Sequence, residues 1–349
     1  MIRLGIIGVG GIANNAHIPG LQKAGGCEIV AVCDIDPKAL AATGDRLHIP
    51  PERRFADYHD LLACPEVEAV EICTPNHMHA PIALAAVQAG KPFELEKPLS
   101  TDLAHAKDLV DALAQTPVPN MMCFSYRFMP AVRFAKWLLE RGKIGRIINV
   151  DVAYLKSSAF MEGRRLDWRF VKEYAGTGVL GDLGVHLIDM TRYLLGEFQA
   201  VCGHTEIVVK ERKKLDSEEL APVETDDLCT FLARLEGNVF ANFLITRCAI
   251  GNINTIKFDI YGEEGVISFN LNQPDTLGIC LGEVGKMTGD LHTVRVPDKF
   301  RRTQEETFLH LLQGKRDEDL PTVEDGIAAQ KILDALVRSS EEGRFVPLA

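Results

Sequence analysis

The stretch MIRLGIIGVGGIANNA, residues 1–16, decides the first half of the fold. Its apolar run, residues 3–7, predicts a strand, and the GVGGIA that follows fits the pattern G-x-G-x-x-G/A of a turn that leads from a strand into a helix. Gly8 permits the tight turn, and Gly10 removes the side chain that would keep a phosphate from the backbone. The pattern predicts that a dinucleotide pyrophosphate binds at the start of this helix. We expect it to contact Gly8, Gly10, Gly11 and Ile12.

The second half of this fingerprint is an acid after the next strand. Residues 28–33 predict another buried strand, and Asp34 follows Ala13 by 21 residues. That is close to the spacing of about 20 expected for a ribose-binding carboxylate. A carboxylate accepts hydrogen bonds from the two ribose hydroxyls of NAD and repels the 2′-phosphate of NADP, and no arginine stands directly after Asp34. The sequence therefore favours NAD over NADP.

Strands and helices alternate through the first third of the chain, which predicts a doubly wound parallel sheet of the Rossmann type. Further helices are expected at 36–47, 58–63, 80–89 and 102–114, and further strands at 69–74, 93–96 and 121–125.

After a linking helix at 131–139 the pattern changes to longer alternating runs separated by turns. These runs lie at 147–154, 225–235, 239–246, 255–261 and 266–271, and they predict a mostly antiparallel open sheet. We therefore expect an α/β protein with two domains, a cofactor domain at 1–122 and a C-terminal α/β domain at 123–349. The last helix, 323–340, is expected to pack back on the first domain.

Composition restricts the class of partner. The chain has 349 residues, a net charge of −11 and a pI near 5.4, which argue against a nucleic-acid partner or an anionic membrane surface because both would need a basic face. The nine cysteines form no C-x-x-C pair and are typical of reduced core thiols. There is no signal-peptide pattern and no apolar run long enough for a membrane span, so we expect a cytoplasmic protein. The charged run 210–216 is typical of a solvated loop.

Two motifs follow predicted strands at the edge of the sheet where cofactors bind. They are CTPNHMH at 73–79 and ELEKP at 94–98. The second motif also has a purely structural interpretation, since a proline can simply end a strand and Glu-Lys pairs are common on protein surfaces. A zinc site of Cys73, His77 and His79 is disfavoured because the residues do not have the usual ligand spacing. We expect no metal.

A third motif is GDLGVHLIDM at 181–190, which predicts a helix. Asp182, His186 and Asp189 stand at i, i+4 and i+7 and would share one face. An aspartate and a histidine in contact form a proton-transfer pair whose pKa values can be tuned. In the alternative interpretation His186 is a hydrogen-bonded core residue and Asp182 an acid at a helix N-terminus.

Taken together, the glycine turn, CTPNHMHA at 73–80, ELEKPLS at 94–100, FSYRFMPA at 124–131, WR at 168–169, GTGVLGDLGVHLID at 176–189 and FDIYGEEGVISF at 258–269 resemble the Gfo/Idh/MocA family. These are sugar and polyol dehydrogenases and reductases related to glucose-fructose oxidoreductase and inositol 2-dehydrogenase. The resemblance covers essentially the whole chain. It implies a Rossmann domain followed by an α/β domain whose open sheet commonly forms the oligomer interface, so we expect a homodimer or homotetramer. Thr177 departs from the family, in which many members carry glycine at that position.

The resemblance implies that Lys97, Asp182 and His186 form the catalytic group. Oxidation of a secondary alcohol needs a base near the hydroxyl, and His186 is the first candidate, with Asp182 orienting it. Lys97 would hydrogen-bond the reacting oxygen or relay the proton itself, so the division of roles between Lys97 and His186 stays open. Residues expected to line the cofactor are Thr74, Pro75, Asn76, His79, Glu96 and Lys97, with Glu96 near the nicotinamide ribose.

For the substrate, Tyr126, Arg127, Trp168 and Arg169, with Arg164 and Arg165 nearby, supply aromatic faces and guanidinium groups. They suit a sugar or inositol that is neutral or carries a carboxylate or phosphate. Two alternatives remain open, an NADP-dependent reductase of a ketosugar or dihydrodiol, and an NAD(P)-binding regulator without catalysis. Retention of all three catalytic positions favours the enzyme.

Overall fold

The computed structural model describes residues 1–315 and 317–348. The described chain forms two compact units. The N-terminal unit comprises Met1–Phe124 and Arg302–Gln330, and the C-terminal unit comprises Ser125–Arg301 and the described residues from Lys331 onward. None of the described helices is both long enough and apolar enough to cross a membrane.

The elements follow in chain order. The first part contains β1 Ile2–Ile7, α1 Ile18–Ala24, β2 Cys27–Cys33, α2 Pro37–Arg46, β3 Arg54–Phe55, α3 Tyr58–Ala63, β4 Ala69–Ile72, α4 His79–Gln88, β5 Phe93–Leu95, α5 Leu103–Gln115 and β6 Asn120–Met122. The remainder contains α6 Pro130–Glu140, β7 Ile147–Leu155, α7 Lys172–Ala175, α8 Val185–Leu195, β8 Phe198–Glu206, β9 Glu211–Lys213, β10 Leu220–Pro222, β11 Leu228–Leu235, β12 Val239–Thr246, β13 Thr255–Gly262, β14 Gly265–Asn270, β15 Thr276–Leu281, α9 Gly282–Thr288, β16 His292–Arg295, α10 Gln304–Leu312, α11 Val323–Glu342 and β17 Val346–Pro347.

The N-terminal unit is built on a six-stranded parallel sheet in the order β3-β2-β1-β4-β5-β6. Its central strands are largely apolar because helices cover both faces, and the last four residues of β1 are all buried. Aspartates at the N-caps start α2, α3 and α5 by accepting hydrogen bonds from backbone N–H groups of the first turn. The predicted doubly wound sheet is confirmed, and its strand order reverses between β1 and β4.

The C-terminal unit is built on a nine-stranded sheet in the order β16-β15-β14-β13-β7-β12-β11-β8-β17. Every neighbouring pair is antiparallel except β7 and β12, so the predicted mostly antiparallel sheet is confirmed. Buried and exposed residues alternate along β11 and β12. Phe231 and Phe243 stack on the buried face with ring centroids 4.1 Å apart. Leu232 and Phe240 point from the other face and are exposed.

The charged run 210–216 is not a simple solvated loop. Residues 211–213 form β9, which pairs with β10 in a two-stranded hairpin. Arg212 is buried, and its guanidinium carbon lies 4.5 Å from the centroid of the Phe170 ring. The run was misjudged because its composition is that of a surface, whereas the long aliphatic stem of arginine packs readily on an aromatic ring.

Candidate functional site

The turn after β1 requires glycine at position 8. Gly8 has a φ of +87°, and a Cβ there would lie 2.8 Å from the carbonyl carbon and oxygen of Cys73. Its N–H donates to the carbonyl oxygen of Cys33 at 2.8 Å, so the turn is held between the ends of β2 and β4. A Cβ at Gly10, in contrast, would meet no heavy atom within 4 Å. The backbone conformation and the nearby Cys73 therefore require glycine at position 8, whereas glycine at position 10 leaves open space over the backbone.

The helix that follows begins at the exposed residues Gly11 and Ile12 and contains a π turn, Ala13–His17, before α1. Ala13 is fully buried, as expected for close packing of this helix on the sheet. Asn14 stiffens the turn, because its Nδ2 donates to the carbonyl oxygen of Val9 at 2.5 Å and to that of Gly10 at 3.1 Å. Sequence reasoning did not single out Asn14.

Asp34 lies at the glycine turn, as its position after β2 predicted. One carboxylate oxygen accepts the N–H of Val9 at 2.8 Å, and the other accepts the N–H of Asp36 at 2.9 Å. Each carboxylate oxygen has two lone pairs, so both can still accept a hydrogen bond from a ribose hydroxyl. The carboxylate is therefore oriented by the backbone before any ligand binds.

Thr74 and Asn76 follow β4 at the same edge of the sheet. The Oγ1 of Thr74 is buried, with no hydrogen-bond partner among the described residues. A buried hydroxyl without a hydrogen-bond partner destabilises the folded protein unless a ligand or a water molecule forms a hydrogen bond with it. The open space at Gly10, the oriented carboxylate of Asp34 and the orphaned hydroxyl of Thr74 together fit a dinucleotide.

His79 lies between the loops that follow β4 and β5. Its side chain is buried, with Nδ1 2.6 Å from the carbonyl oxygen of Pro98 and Nε2 2.9 Å from that of Thr74. Burial lowers the pKa of His79, and the two carbonyl groups oppose this only in part. A neutral imidazole has one N–H and donates to one of these two oxygens. The ring thus contacts both loops, and a role of His79 in lining the cofactor stays a prediction.

Glu96 and Lys97 stand in the loop after β5, and both are partly exposed. One Glu96 oxygen accepts the N–H of Lys97 at 3.1 Å, and the other lies 2.9 Å from Nε2 of His17. Burial disfavours the charged carboxylate, but the hydrogen bond from His17 and the charge of Lys97 outweigh it and lower the pKa of Glu96 to about 2. Glu96 is thus an oriented anion at neutral pH.

In the C-terminal unit, Asp226 shapes the segment that leads into the D-x-x-x-H motif. Its two carboxylate oxygens accept the N–H groups of Gly178 at 2.6 Å and Leu180 at 2.8 Å. Position 178 must be glycine because a Cβ would lie 1.9 Å from the carbonyl oxygen of Asp226. Burial raises the pKa of Asp226, although these hydrogen bonds work in the opposite direction.

The predicted helix at 181–190 is not regular. Residues Leu180–Gly184 form a π turn, and only then does α8 begin. Asp182 lies in the π turn, and His186 and Asp189 lie in α8. A π turn contains an extra residue, so the simple i, i+4, i+7 face of the sequence analysis does not hold across it.

His186 packs against Tyr126, which in turn contacts Tyr154. It is buried, and its ring centroid lies 4.6 Å from that of Tyr126 in an edge-to-face arrangement. The hydroxyl of Tyr126 lies 2.7 Å from that of Tyr154 on β7. Burial and the neighbouring Tyr126 raise the pKa of Tyr154, and the charge of Asp182 also contributes. Tyr154 was missed because it occupies an ordinary inward position of an alternating strand.

Arg127 is occupied by an ion pair. Its Nε and Nη2 donate to the two carboxylate oxygens of Asp189 at 2.8 and 2.5 Å, and both side chains are buried. The guanidinium carbon also lies 5.1 Å from the centroid of the Tyr193 ring. Two of its guanidinium nitrogens thus bind a carboxylate of the same unit, and substrate binding by Arg127 stays a prediction.

The other predicted substrate residues lie on the loop before α7. Arg169 stacks on Trp168, with its guanidinium carbon 4.3 Å from the ring centroid, and both are partly exposed. Arg164 lies over the Phe170 ring at 5.0 Å. Arg165 donates to the carbonyl oxygens of Lys214 and Ser217 and pairs with Glu218, so it anchors the hairpin of β9 and β10. Trp168 and Arg169 keep exposed surface for a ligand.

Two groups of possible metal ligands occur among the described residues, His17 with Glu71 and Cys73, and His17 with Glu96 and Cys123. The trio Cys73, His77 and His79 is not among them. The ring of His17 already makes two short contacts with carboxylates, so a metal ion would have to displace them. The arrangement is that of a hydrogen-bonded ionic cluster.

Two relatives are similar to this chain over most of their length. Levoglucosan dehydrogenase from Pseudarthrobacter phenanthrenivorans is 36% identical over 261 residues, which cover 70% of this chain and 67% of the relative. Inositol 2-dehydrogenase from Rhizobium meliloti is 26% identical over 100% of this chain and 99% of the relative. Among solved structures, levoglucosan dehydrogenase in complex with NADH and levoglucosan matches with a TM-score of 0.89 and 29% identity, over 99% of both chains.

Both parts of the chain match one protein family. Residues 2–124 match its NAD-binding Rossmann fold, and residues 136–348 match its C-terminal alpha/beta domain. These matches agree with the parallel sheet of the N-terminal unit and the mixed sheet of the C-terminal unit, and the family predicted from the motifs is confirmed. The chain belongs to the Gfo/Idh/MocA family of oxidoreductases and has its NAD-binding Rossmann domain.

Proposed function

We propose that this protein is an NAD-dependent dehydrogenase that transfers hydride between the nicotinamide and a secondary alcohol or ketone of a sugar, inositol or related polyol. The observation that carries the proposal is the pre-oriented Asp34 carboxylate beside the open space at Gly10. The names of the relatives, which are dehydrogenases of levoglucosan and inositol, support the substrate class. We also propose residues 1–122 as the cofactor domain and 123–349 as the substrate and oligomerisation domain, with residues 302–330 of the latter grouped with the N-terminal compact unit.

For the cofactor, we assign the pyrophosphate to Gly8, Gly10, Gly11 and Ile12, and the adenosine ribose to Asp34. Thr74, Pro75, Asn76, Glu96 and Lys97 are assigned to the nicotinamide half, and His79 supports their loops from behind. When bound, NAD supplies the C4 position that accepts hydride. Everything else in the reaction, including orientation, exclusion of water and proton transfer, is the task of the chain.

For proton transfer, we assign roles to Lys97, Asp182 and His186. Removal of hydride from a secondary alcohol must be accompanied by removal of the hydroxyl proton, and an imidazole changes charge near neutral pH. His186 is held by the ring of Tyr126, which restricts its rotation. Lys97 would donate a hydrogen bond to the reacting oxygen. Tyr126, Trp168 and Arg169 are proposed to bind the sugar, the last two with exposed aromatic and guanidinium surfaces.

Reduction of NAD, and separately of NADP, tests the proposal. The purified protein is incubated with inositols, aldoses, anhydrosugars, uronic acids and sugar phosphates, and the absorbance of the reduced nicotinamide is followed. We expect turnover with NAD for at least one sugar or polyol. NAD binding without turnover across the panel would favour a regulator, and a clear preference for NADP would favour the reductase alternative.

Replacement of Asp34 by alanine should weaken NAD more than NADP. The wild-type carboxylate favours the ribose hydroxyls of NAD and repels the extra phosphate of NADP. Its loss should therefore lower the ratio of NAD affinity to NADP affinity by about tenfold or more. Dissociation constants for both cofactors, measured by calorimetry, check this result. Asp36→Ala, two residues on and exposed, is the matched control. An unchanged NAD-to-NADP ratio in Asp34→Ala would refute the ribose assignment.

We also propose a cytoplasmic homodimer or homotetramer assembled through the outer face of the nine-stranded sheet. Leu232, Phe240 and Leu244 on β11 and β12 are 50%, 60% and 41% exposed and lie side by side on this face. Adjacent large apolar residues on an open sheet face are typical of an interface. Burying them against a second copy would remove this surface from water.

Replacement of Phe240 by aspartate should shift the protein toward monomer. A charge placed on the buried face of a symmetric interface is repeated across the two-fold axis and must be desolvated twice. Light scattering coupled to size-exclusion chromatography measures the change in mass. Val284→Asp, at an exposed position on α9, is the control. An oligomer that persists unchanged in Phe240→Asp would mean that another surface carries the assembly.

A further inference from the structure

His17 is a buried residue whose ring joins two carboxylates from neighbouring strands. It closes the π turn after the glycine loop and is 2% exposed. Its Nδ1 lies 2.7 Å from Oε2 of Glu71 on β4, and its Nε2 lies 2.9 Å from Oε1 of Glu96 after β5. The contact with Glu96 is a hydrogen bond, and the short contact with Glu71 is an ion pair when the imidazole is protonated. Neither His17 nor Glu71 belongs to a motif that the sequence marks as functional.

The surroundings favour this charged form. Burial alone would lower the pKa of His17, but Cys73 and Glu71 beside the ring raise it well above its ordinary value. Burial raises the pKa of the Cys73 thiol to about 11, so this thiol keeps its proton at neutral pH. The groups that face His17 from the packed elements are Glu71, Cys73, Glu94, Glu96, Lys97 and Cys123, with Glu305 of α10 acting on Glu94.

A third carboxyl group completes the cluster. Glu94 on β5 is fully buried beside Glu71. Burial and the charge of Glu71 raise the pKa of Glu94 well above its ordinary value, which favours its neutral form. The thiol of Cys123 donates to the other side of Glu94 at 3.6 Å. The cluster therefore places the ring of His17 between two carboxyl groups, those of Glu71 and Glu96.

This arrangement fixes Glu96 at both oxygens. Oε1 receives the imidazolium of His17 and Oε2 receives the backbone N–H of Lys97. Each oxygen still has a lone pair that points away from these donors. Without His17 the carboxylate would lose a hydrogen bond and one of its counter-charges at a site where its side chain is only 12% exposed. A buried network of this kind holds its members in one arrangement as long as every partner is present.

We propose that His17 is a positioning residue of the NAD site, which holds the Glu96 carboxylate charged and in the single orientation in which it accepts a hydrogen bond from the cofactor. Glu71 is the counter-charge that keeps His17 protonated. The inference rests on the proposed function, in which Glu96 contacts NAD, and it deepens that function by assigning the interior support of the contact.

The test measures NAD affinity of the full-length protein by calorimetry between pH 5 and pH 8. In the wild-type protein, titration of Glu96 should not change NAD affinity in this range, because a pKa of about 2 keeps the carboxylate ionised throughout. In His17→Gln we expect affinity to fall about tenfold at pH 7, the effect of losing a hydrogen bond from a charged group. It should fall further toward pH 5, because loss of the His17 hydrogen bond raises the pKa of Glu96, with the charge of Lys97 left to oppose the effect of burial.

A double-mutant cycle separates this role from general stabilisation. In a Glu96→Gln background, His17→Gln should change NAD affinity by no more than about twofold, since the residue through which it acts is already neutral. An equal loss in both backgrounds, or a loss without pH dependence, would overturn the proposal. Failure of the wild-type protein to bind NAD would instead refute the proposed function.

Two further variants keep the test decisive. His105→Gln, an exposed histidine paired with Asp102 in the same unit, should leave NAD affinity and its pH dependence unchanged. If His17→Gln does not fold, Glu71→Gln replaces it, because this variant keeps the shape of the cluster and removes only the counter-charge. His17 then loses its proton at lower pH, and NAD affinity should be weaker at pH 8 than at pH 6. Affinity that is equal at both pH values in Glu71→Gln would overturn the proposal.

Discussion

Replacing His186 by alanine lowers kcat by about a hundredfold or more, the contribution expected of a general base, while NAD affinity stays near the wild-type value. The alcohol must lose its hydroxyl proton as hydride leaves, and the variant has no imidazole to take it. NAD affinity is spared because the pyrophosphate and ribose contacts lie in the N-terminal unit at the glycine turn and Asp34. Steady-state rates with the substrate found in the panel, together with calorimetry for NAD, check both parts.

Controls define what the result means. His204→Ala, an exposed histidine on β8 near Glu206, should have wild-type rates. Lys97→Ala should lower kcat by about the same factor as His186→Ala. A comparison of the pH profiles of kcat for the two variants then identifies the base. The residue whose loss abolishes the acid limb of the profile is the base. Near-normal turnover in both variants would remove these residues from the chemistry.

Replacing Arg127 by alanine destabilises the protein by about 3–5 kcal/mol, the usual cost of breaking a buried ion pair from one side. The side chains of Arg127 and Asp189 are 6% and 2% exposed, so the carboxylate of Asp189 would be left buried without its cation. The pair also joins the turn that carries Tyr126 to the helix that carries His186. Urea unfolding with a linear extrapolation measures the loss.

The matched control for this prediction is Arg146→Ala. Arg146 pairs with Glu263 on the surface of the same unit, where the side chains are 65% and 49% exposed, and its loss should cost no more than about 1 kcal/mol. A change of similar size in the two variants would show that the Arg127 pair is not a structural element. If Arg127 bound substrate directly, its replacement would instead raise KM with little change in the free energy of unfolding.

The predictions that succeeded rest on short-range rules of the backbone. A strand followed by GVGGIA, and an acid after the next strand, specify the turn and the carboxylate because glycine conformation and strand period are local properties. The alternation along residues 225–246 predicted two strands of an open sheet for the same reason. The π turns at Ala13–His17 and Leu180–Gly184 were not predicted, because a single extra residue in a helical turn leaves no periodic signal.

The roles of individual side chains are harder to predict from the sequence than the elements are. His79 and Arg127 were assigned to ligands because their residue types suit ligands. In the structure each contacts protein groups, His79 two backbone carbonyl oxygens and Arg127 the carboxylate of Asp189. A polar residue type predicts that a partner exists, since buried polar groups must be hydrogen-bonded, but it does not say whether that partner is protein or ligand.

By itself, the sequence determined the Rossmann turn, the ribose-type acid, the division into a parallel and a mostly antiparallel sheet, and the family. Each of these features can be predicted from spacings of a few residues or from motifs that follow one another in a recognisable order along the chain. Only the tertiary structure decided that His17 meets Glu96, 79 residues away, and that Arg127 meets Asp189, 62 residues away. The strand order β3-β2-β1-β4-β5-β6 brings the ends of β4 and β5 beneath the helix that follows β1. The physical reason is that contacts of this kind depend on which strands are neighbours, and that choice is made by packing of the whole sheet rather than by any local pattern.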